Sequence, residues 1–157
     1  SILLVGPRGS GKTALARHAV TLLPPPDLRE SLEIATRLDA AGLTYLGWRP
    51  FRAPHYTCSN VALTGRGSAF GELDLARDGI LFLDELPEFR RAAIDVVCAL
   101  DRAQRPLLIG AANLCPCGFR GDRTRACVCT KDVIERYRTR FAPGLFDVTI
   151  DVTGDVS

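Results

Sequence analysis

Methionine is absent from the 157 residues, lysine occurs only at Lys12 and Lys131, and tryptophan occurs once. A chain without Met that opens at Ser1 directly into an apolar run reads as a piece of a longer protein. The charged start and apolar stretch of a secretory signal are missing. No apolar run approaches the ~18 residues that a membrane-spanning helix needs. An excess of one charge sign is missing too: 20 basic against 18 acidic residues leave a formal charge of +2, which excludes a global attraction to polyanions. These absences predict a cytoplasmic chain with no membrane partner. Hydrophobic residues at 46% and charged residues at 24% exclude disorder and collagen-like structure and fit one domain with one core.

Ile2-Leu3-Leu4-Val5, ended by Gly6, reads as a buried parallel strand. A helix is expected from Lys12 to about Leu23, stopped by Pro24-Pro25-Pro26. Asp27 is placed to cap a second helix, with Glu30 closing a capping box. Leu28, Leu32, Ala35, Leu38 and Ala41 form its apolar stripe, and Gly42 ends it. Residues 43–79, rich in Gly, Pro, aromatic residues and Arg, read as an insertion with an extended piece at Arg49–Ala53 and a short helix after Ser59. Ile80–Leu83 is a second buried strand, ending in Asp84 and Glu85. A helix from about Glu88 to Ala103 and a third strand, Leu107–Ala112, follow. After a Cys-rich loop over 115–129 come a helix from about Lys131 to Phe141 and a last strand near Val148–Val152. Strands alternating with helices predict an α/β fold, a parallel sheet covered on both faces.

Gly6-Pro7-Arg8-Gly9-Ser10-Gly11-Lys12-Thr13 fits G-x-x-x-x-G-K-[ST] between a strand and a helix, the context the motif requires. The glycines let successive backbone N–H groups turn toward one phosphate, and the helix start adds its dipole. Lys12 places an ammonium against the β- and γ-phosphates, and the Thr13 hydroxyl ligates Mg²⁺. Asp84 complements them in the Mg²⁺ shell, and Glu85 orients and deprotonates the attacking water. Adjacent Asp and Glu after four apolar residues are the pattern of a hydrolysing ATPase. Asn113, at the end of the third strand, either polarises that water or is a satisfied loop residue.

Cys115, Cys117, Cys127 and Cys129 form two C-x-C pairs separated by nine residues. Four thiolates can close a tetrahedral Zn²⁺ site that stiffens a loop without a core; a redox pair or free buried thiols are the alternatives. Cys58 and Cys98 read as packed thiols, and His55 as a packed or surface histidine. Arg120, Arg123, Arg125, Lys131, Arg136, Arg138 and Arg140 outnumber Asp122, Asp132 and Glu135 between Cys115 and Phe141. That excess suits nucleic-acid phosphates, a subunit interface or a solvated face.

The stretches GPRGSGKTALA, LLPPPDLRESLEI, RPFRAPHYT, GELDLARDGILFLDELPEF and AANLCPCGFRGDRTRACVCT cover nearly the whole chain. Together they resemble the magnesium chelatase-like AAA+ ATPases, in the branch of the competence-associated helicases. The resemblance implies a P-loop NTPase (AAA+) three-layer sandwich around about five parallel strands, and a ring hexamer with ATP between subunits. Lys12 and Thr13 would serve phosphate and Mg²⁺, Asp84 and Glu85 would form Walker B, and Asn113 sensor 1. RPFRAPHYT corresponds to the insert in the second helix of family members. Set against that pattern, the chain is expected to lack an amino-terminal Lon-like domain, a carboxy-terminal helical lid and a β-hairpin before the sensor strand. Val148 stands at the arginine-finger position, with Arg138 and Arg140 nearby. The function expected is Mg·ATP hydrolysis coupled to motor work on DNA, branch migration included. A chelatase-type subunit remodelling a partner protein, or a degenerate nucleotide-binding module with little turnover, are the alternatives.

Overall fold

The structure, a computed structural model, describes residues 1–101, 105–142 and 144–153. The opening apolar run forms β1 (Ile2–Val5), and α1 (Lys12–His18) is prolonged by a 3-10 turn over Ala19–Leu22. Next come α2 (Leu28–Ala40), β2 (Phe51–Arg52) and α3 (Asn60–Thr64). β3 (Gly65–Arg66) and β4 (Ala69–Phe70) make a small antiparallel hairpin before α4 (Glu72–Leu75). β5 (Ile80–Leu83) leads through a 3-10 turn at Leu86–Glu88 into α5 (Arg91–Ala99). β6 (Leu107–Ala112), α6 (Lys131–Arg138), a 3-10 turn at Thr139–Phe141 and β7 (Val148–Asp151) follow.

Five strands form one sheet in the order β2-β5-β6-β1-β7, every neighbouring pair parallel. Side chains along a strand alternate between faces, so continuous apolar strands feed two cores. Leu3, Val5, Leu81, Leu83, Leu108 and Ala112 pack on one face with Leu63, Leu73, Ile94 and Val97. Leu4, Ile80, Phe82, Ile109 and Ala111 pack on the other with Ala16 of α1. The result is a three-layer α/β/α arrangement. Gly110 sits opposite Leu3 in the register, and a Cβ there would lie 2.5 Å from the Phe146 ring. Its missing side chain is the space the ring fills.

The fifth strand comes from the segment read as an insertion. β2 has only two residues, and it is fixed to β5 by pairing and by the Ile80 N–H donating to the Pro50 carbonyl at 2.8 Å. The Arg52 guanidinium forks onto Glu72 through two 2.7 Å hydrogen bonds, tying β2 to α4. Ser59 caps α3, accepting the Ala62 N–H at 3.0 Å.

The capping box of α2 is present: Asp27 accepts the Glu30 N–H at 2.8 Å, and Glu30 accepts the Asp27 N–H at 2.9 Å. The expected apolar stripe needs correction. Leu28 and Leu32 are 78% and 61% exposed, and the buried face runs through Ile34 and Leu38, which pack on Leu75 of α4. Cys98 is also corrected, being exposed rather than packed. The buried face of α5 is Ala93, Ile94 and Val97, and Cys98 lies about 100° farther round the helix. Residues 102–104, the expected end of that helix, lie outside the described residues.

Gly110→Val should force a side chain into the Phe146 ring and destabilise the chain by ~1–3 kcal/mol. Asp27→Ala should cost about 1 kcal/mol through loss of the cap. Urea midpoints read both effects, and midpoints equal to wild type would refute them.

Candidate functional site

β1 lies between β6 and β7 and delivers the segment Gly6–Gly11 at the carboxyl end of the sheet. Gly9 and Gly11 have φ of 78° and 83°, the left-handed region where glycine is free of Cβ strain. The loop closes around Lys12, which is 9% exposed. Its Nζ donates to the Pro7 carbonyl at 2.6 Å, the Gly6 carbonyl at 3.0 Å, Asn113 Oδ1 at 3.3 Å and Ser10 Oγ at 3.4 Å. Burial lowers the Lys12 pKa from its usual 10.5, with the nearby Asp84 charge opposing.

β5 delivers the acids. The Thr13 hydroxyl donates to Asp84 Oδ2 at 2.9 Å, and Asp84 Oδ1 accepts the Glu85 N–H at 3.0 Å. Glu85 is exposed and holds φ at 52°, a conformation that costs a non-glycine residue of order 1–3 kcal/mol. Asn113 follows directly on the last residue of β6, Ala112. Tyr137 is pushed up to about 12 by burial first, then by Glu88. The residues expected at the site from Arg8 to Thr13 line one cleft of about 340 Å³ together with Asp84, Glu85 and Asn113. Gly6 and Pro7 stand behind it, their carbonyls on Lys12.

The cleft presents a curled backbone and one ammonium to a polyanion. Oxygen ligands 2.0–2.1 Å from an octahedral Mg²⁺ stand about 2.9 Å apart, which is the separation of Thr13 Oγ1 and Asp84 Oδ2. These oxygens therefore fit a hard divalent cation. Glu85 leaves a solvent-facing carboxylate beside them.

The four cysteines also converge, their Sγ atoms all within 4.8 Å of one another. Cys115–Cys117, Cys115–Cys127 and Cys117–Cys127 separations are 3.3, 3.6 and 3.7 Å. Tetrahedral bonds of 2.3 Å to zinc set sulfurs about 3.8 Å apart, so the cluster needs little adjustment to close on one ion. The Arg120 N–H points at Cys115 Sγ at 3.4 Å. Cys117 is lowered to about 6, first by the Phe119 N–H. The Cys129 N–H favours the Cys127 thiolate, yet burial and the Cys115 and Cys117 sulfurs push that thiol up to about 11.

Sequence reasoning missed a third group. Ala53, Pro54, His55 and Tyr56 line a cleft of about 270 Å³ with Thr13, Arg17, Asp84 and Glu85. His55 is exposed there, stacked 4.1 Å from Tyr56 and bonded to Thr57 Oγ1 at 2.8 Å. The signal was available in RPFRAPHYT, but nothing local says that this stretch returns to the acids of β5.

Val148 is 52% exposed on β7, and Arg138 and Arg140 are exposed beside it in sequence; Arg140 approaches Glu88 at 3.9 Å. The seven basic residues between Cys115 and Phe141 are all exposed. No helix among the described residues is long and apolar enough to cross a membrane.

The sequence model of the family described as Magnesium chelatase, subunit ChlI, matches residues 1–157. The protein YifB of Salmonella typhimurium is 38% identical over 97% of this chain and 34% of its own length. The competence protein ComM of Haemophilus influenzae is 37% identical with the same coverage. The chain thus spans about a third of the length of these relatives. Among solved structures, one of the complex between subunits BchI and BchD of magnesium chelatase superposes with a TM-score of 0.54 at 16% identity, over 100% of this chain and 55% of that one. NtrX from Brucella abortus in complex with ATP superposes at 0.50 and 20% identity, over 96% of this chain and 32% of that one. These likenesses show the AAA+ fold. The chain belongs to the magnesium chelatase ChlI family.

A folded-state pKa below the unfolded value means that the unfolded chain binds the extra proton, so stability rises with pH through that interval. Wild type should therefore gain stability relative to Lys12→Met as pH rises toward the ordinary lysine value of 10.5. Chemical denaturation of both proteins across that range checks it, and a flat difference would overturn the effect of burial on Lys12.

Proposed function

From membership of that family, we propose that the chain binds ATP with Mg²⁺ and hydrolyses it. The observation that supports this most is the convergence of the Lys12 ammonium, the Thr13–Asp84 oxygen pair, Glu85 and Asn113 on one cleft. In this reading the loop N–H groups and Lys12 hold the β- and γ-phosphates, Lys12 exchanging loop carbonyls for phosphate oxygens. Thr13 and Asp84 would hold Mg²⁺, which would supply neutralisation of charge on the phosphates. Glu85 takes a proton from water as the water oxygen attacks the γ-phosphorus, and the bond to the β-phosphate oxygen breaks, leaving ADP and phosphate. Asn113 orients that water through its amide.

Four thiolates of the cysteine cluster would hold structural Zn²⁺, which would replace a hydrophobic core in that loop. DNA is the partner that the exposed cations between Cys115 and Phe141 suit, those of α6 and its 3-10 extension best. Assembly into a ring, or with a second subunit as in the complex between BchI and BchD of magnesium chelatase, would bring a neighbour to the cleft. Val148 at the arginine-finger position favours slow turnover by this chain alone.

Lys12→Ala should abolish ATP binding, whereas Glu85→Gln should keep binding and stop turnover. Equal turnover in wild type and Glu85→Gln would identify a nucleotide-holding module instead. Metal analysis should find about one zinc per chain, and less than half an equivalent would remove the structural ion. DNA should stimulate hydrolysis less as salt rises; stimulation indifferent to salt would argue against phosphate contacts.

A further inference from the structure

A triphosphate in the cleft has a direction. Asp84, Glu85 and Asn113 mark the end where the terminal phosphate reacts, so the nucleoside leaves on the opposite side of the phosphate loop. A second cleft of about 420 Å³ lies against that loop, shared with Pro7–Gly11. Its other walls are Val152 and Thr153 at the end of β7 and Gly121–Thr124 from the segment between the two cysteine pairs.

That segment is seated on the phosphate loop by its backbone. The Arg8 N–H donates to the Gly118 carbonyl at 2.8 Å. Gly118 has φ of 82°, and a Cβ on it would come within 3.3 Å of the Arg8 side chain. A Cβ on Gly121 would lie 3.2 Å from Thr153 Cγ2 and 3.8 Å from Pro7 Cδ. Asp122 Oδ1 fixes the turn beyond, accepting the Thr124 N–H at 2.6 Å, the Thr124 hydroxyl at 2.7 Å and the Arg125 N–H at 2.9 Å. Residues 123–126 are exposed. The wall is flanked in sequence by Cys115 and Cys117 on one side and by Cys127 and Cys129 on the other, whose Sγ atoms converge.

We propose that residues 121–124 form the nucleoside wall of the nucleotide site, and that metal in the Cys115–Cys117–Cys127–Cys129 cluster holds that wall in place. Nucleotide affinity then depends on a metal that touches no part of the nucleotide. The ribose and base meet Pro7 and Val152 as apolar edges and the Asp122–Thr124 turn as hydrogen-bonding groups. The inference rests on the nucleotide and zinc readings above, and its test separates the three.

Affinities for ATP and for inorganic tripolyphosphate are measured on the whole chain, with metal content read in parallel. Thr124→Trp, an exposed change that fills the second cleft, should weaken ATP at least tenfold and leave tripolyphosphate unchanged. Unchanged ATP affinity in Thr124→Trp would overturn the nucleoside wall. Cys127→Ser, or removal of metal by a chelator, should weaken ATP about tenfold, with zinc restoring affinity only to the chelated wild type. Loss of metal with ATP affinity intact would overturn the coupling. A wild type that binds ATP but never holds metal would remove the zinc reading and the coupling with it. A wild type binding neither ATP nor tripolyphosphate would remove the nucleotide reading itself. Circular dichroism of each variant separates loss of binding from loss of fold.

Discussion

A buried ammonium without partners would be expelled from the fold or lose its proton, and Lys12 avoids both by lying on four oxygens. Two of them are carbonyls of its own loop, so the charge holds the backbone in the curl that a polyanion needs. The fourth partner, Asn113, comes from β6, a separate strand joined to β1 by register alone. A slip of one residue in that pairing would move Asn113 away from Lys12 and turn the β6 side chains to the wrong faces. The two cores prevent such a slip, because Leu108 and Ile109 are each buried on opposite sides of the sheet. Packing in the layers thus sets the geometry of a charge at the strand ends.

The acids depend on packing in the same way. Ile80–Leu83 is buried throughout, and Asp84 is the first residue free to face the crevice. The left-handed turn at Glu85 is strain that the Leu86 and Pro87 burial behind it stabilises. With no positive side chain bonded to Asp84 in the described contacts, its Oδ2 is held by the Thr13 hydroxyl alone. A hydroxyl is a weak partner for a carboxylate compared with an ammonium, which leaves that oxygen ready to exchange its hydrogen bond for a cation.

Continuous apolar runs made β1, β5 and β6 legible in the sequence, and the eight-residue phosphate motif named its own neighbours. The β2 strand was not legible as such: two residues carry no periodicity, and its pairing comes from Pro50 and Arg52 finding distant partners. Helical spacing in α2 admits more than one stripe, and only α4, folding back from residues 72–75, selects Ile34 and Leu38 over Leu28 and Leu32. Cys98 follows the same pattern: residue type suggests burial, and the α5 packing face decides otherwise. The cysteine spacing showed that four sulfurs could meet, but the seat of their loop on Arg8 depends on Gly118 and Gly121 backbones that no spacing rule describes. His55 beside the acids belongs to the same class of fact, a tertiary return of a loop.

The positive charges of the final third divide by position. A zinc ion in four thiolates carries a net double negative charge, and a charge of that size needs compensation in its surroundings. Arg120, Arg123 and Arg125 lie in the loop that the thiolates close, and the Arg120 backbone already points at Cys115. Arg125 is further placed by lying over the Phe119 ring at 5.2 Å. Compensation of such a metal site would account for these arginines without nucleic acid. Lys131, Arg136, Arg138 and Arg140 belong to the following helical stretch, and Arg140 meets the carboxylate of Glu88 only at 3.9 Å. The polyanionic partner proposed above is thus best matched by that exposed face of α6 and its 3-10 extension, opposite the buried Ile134 and Tyr137 that anchor it to the fold.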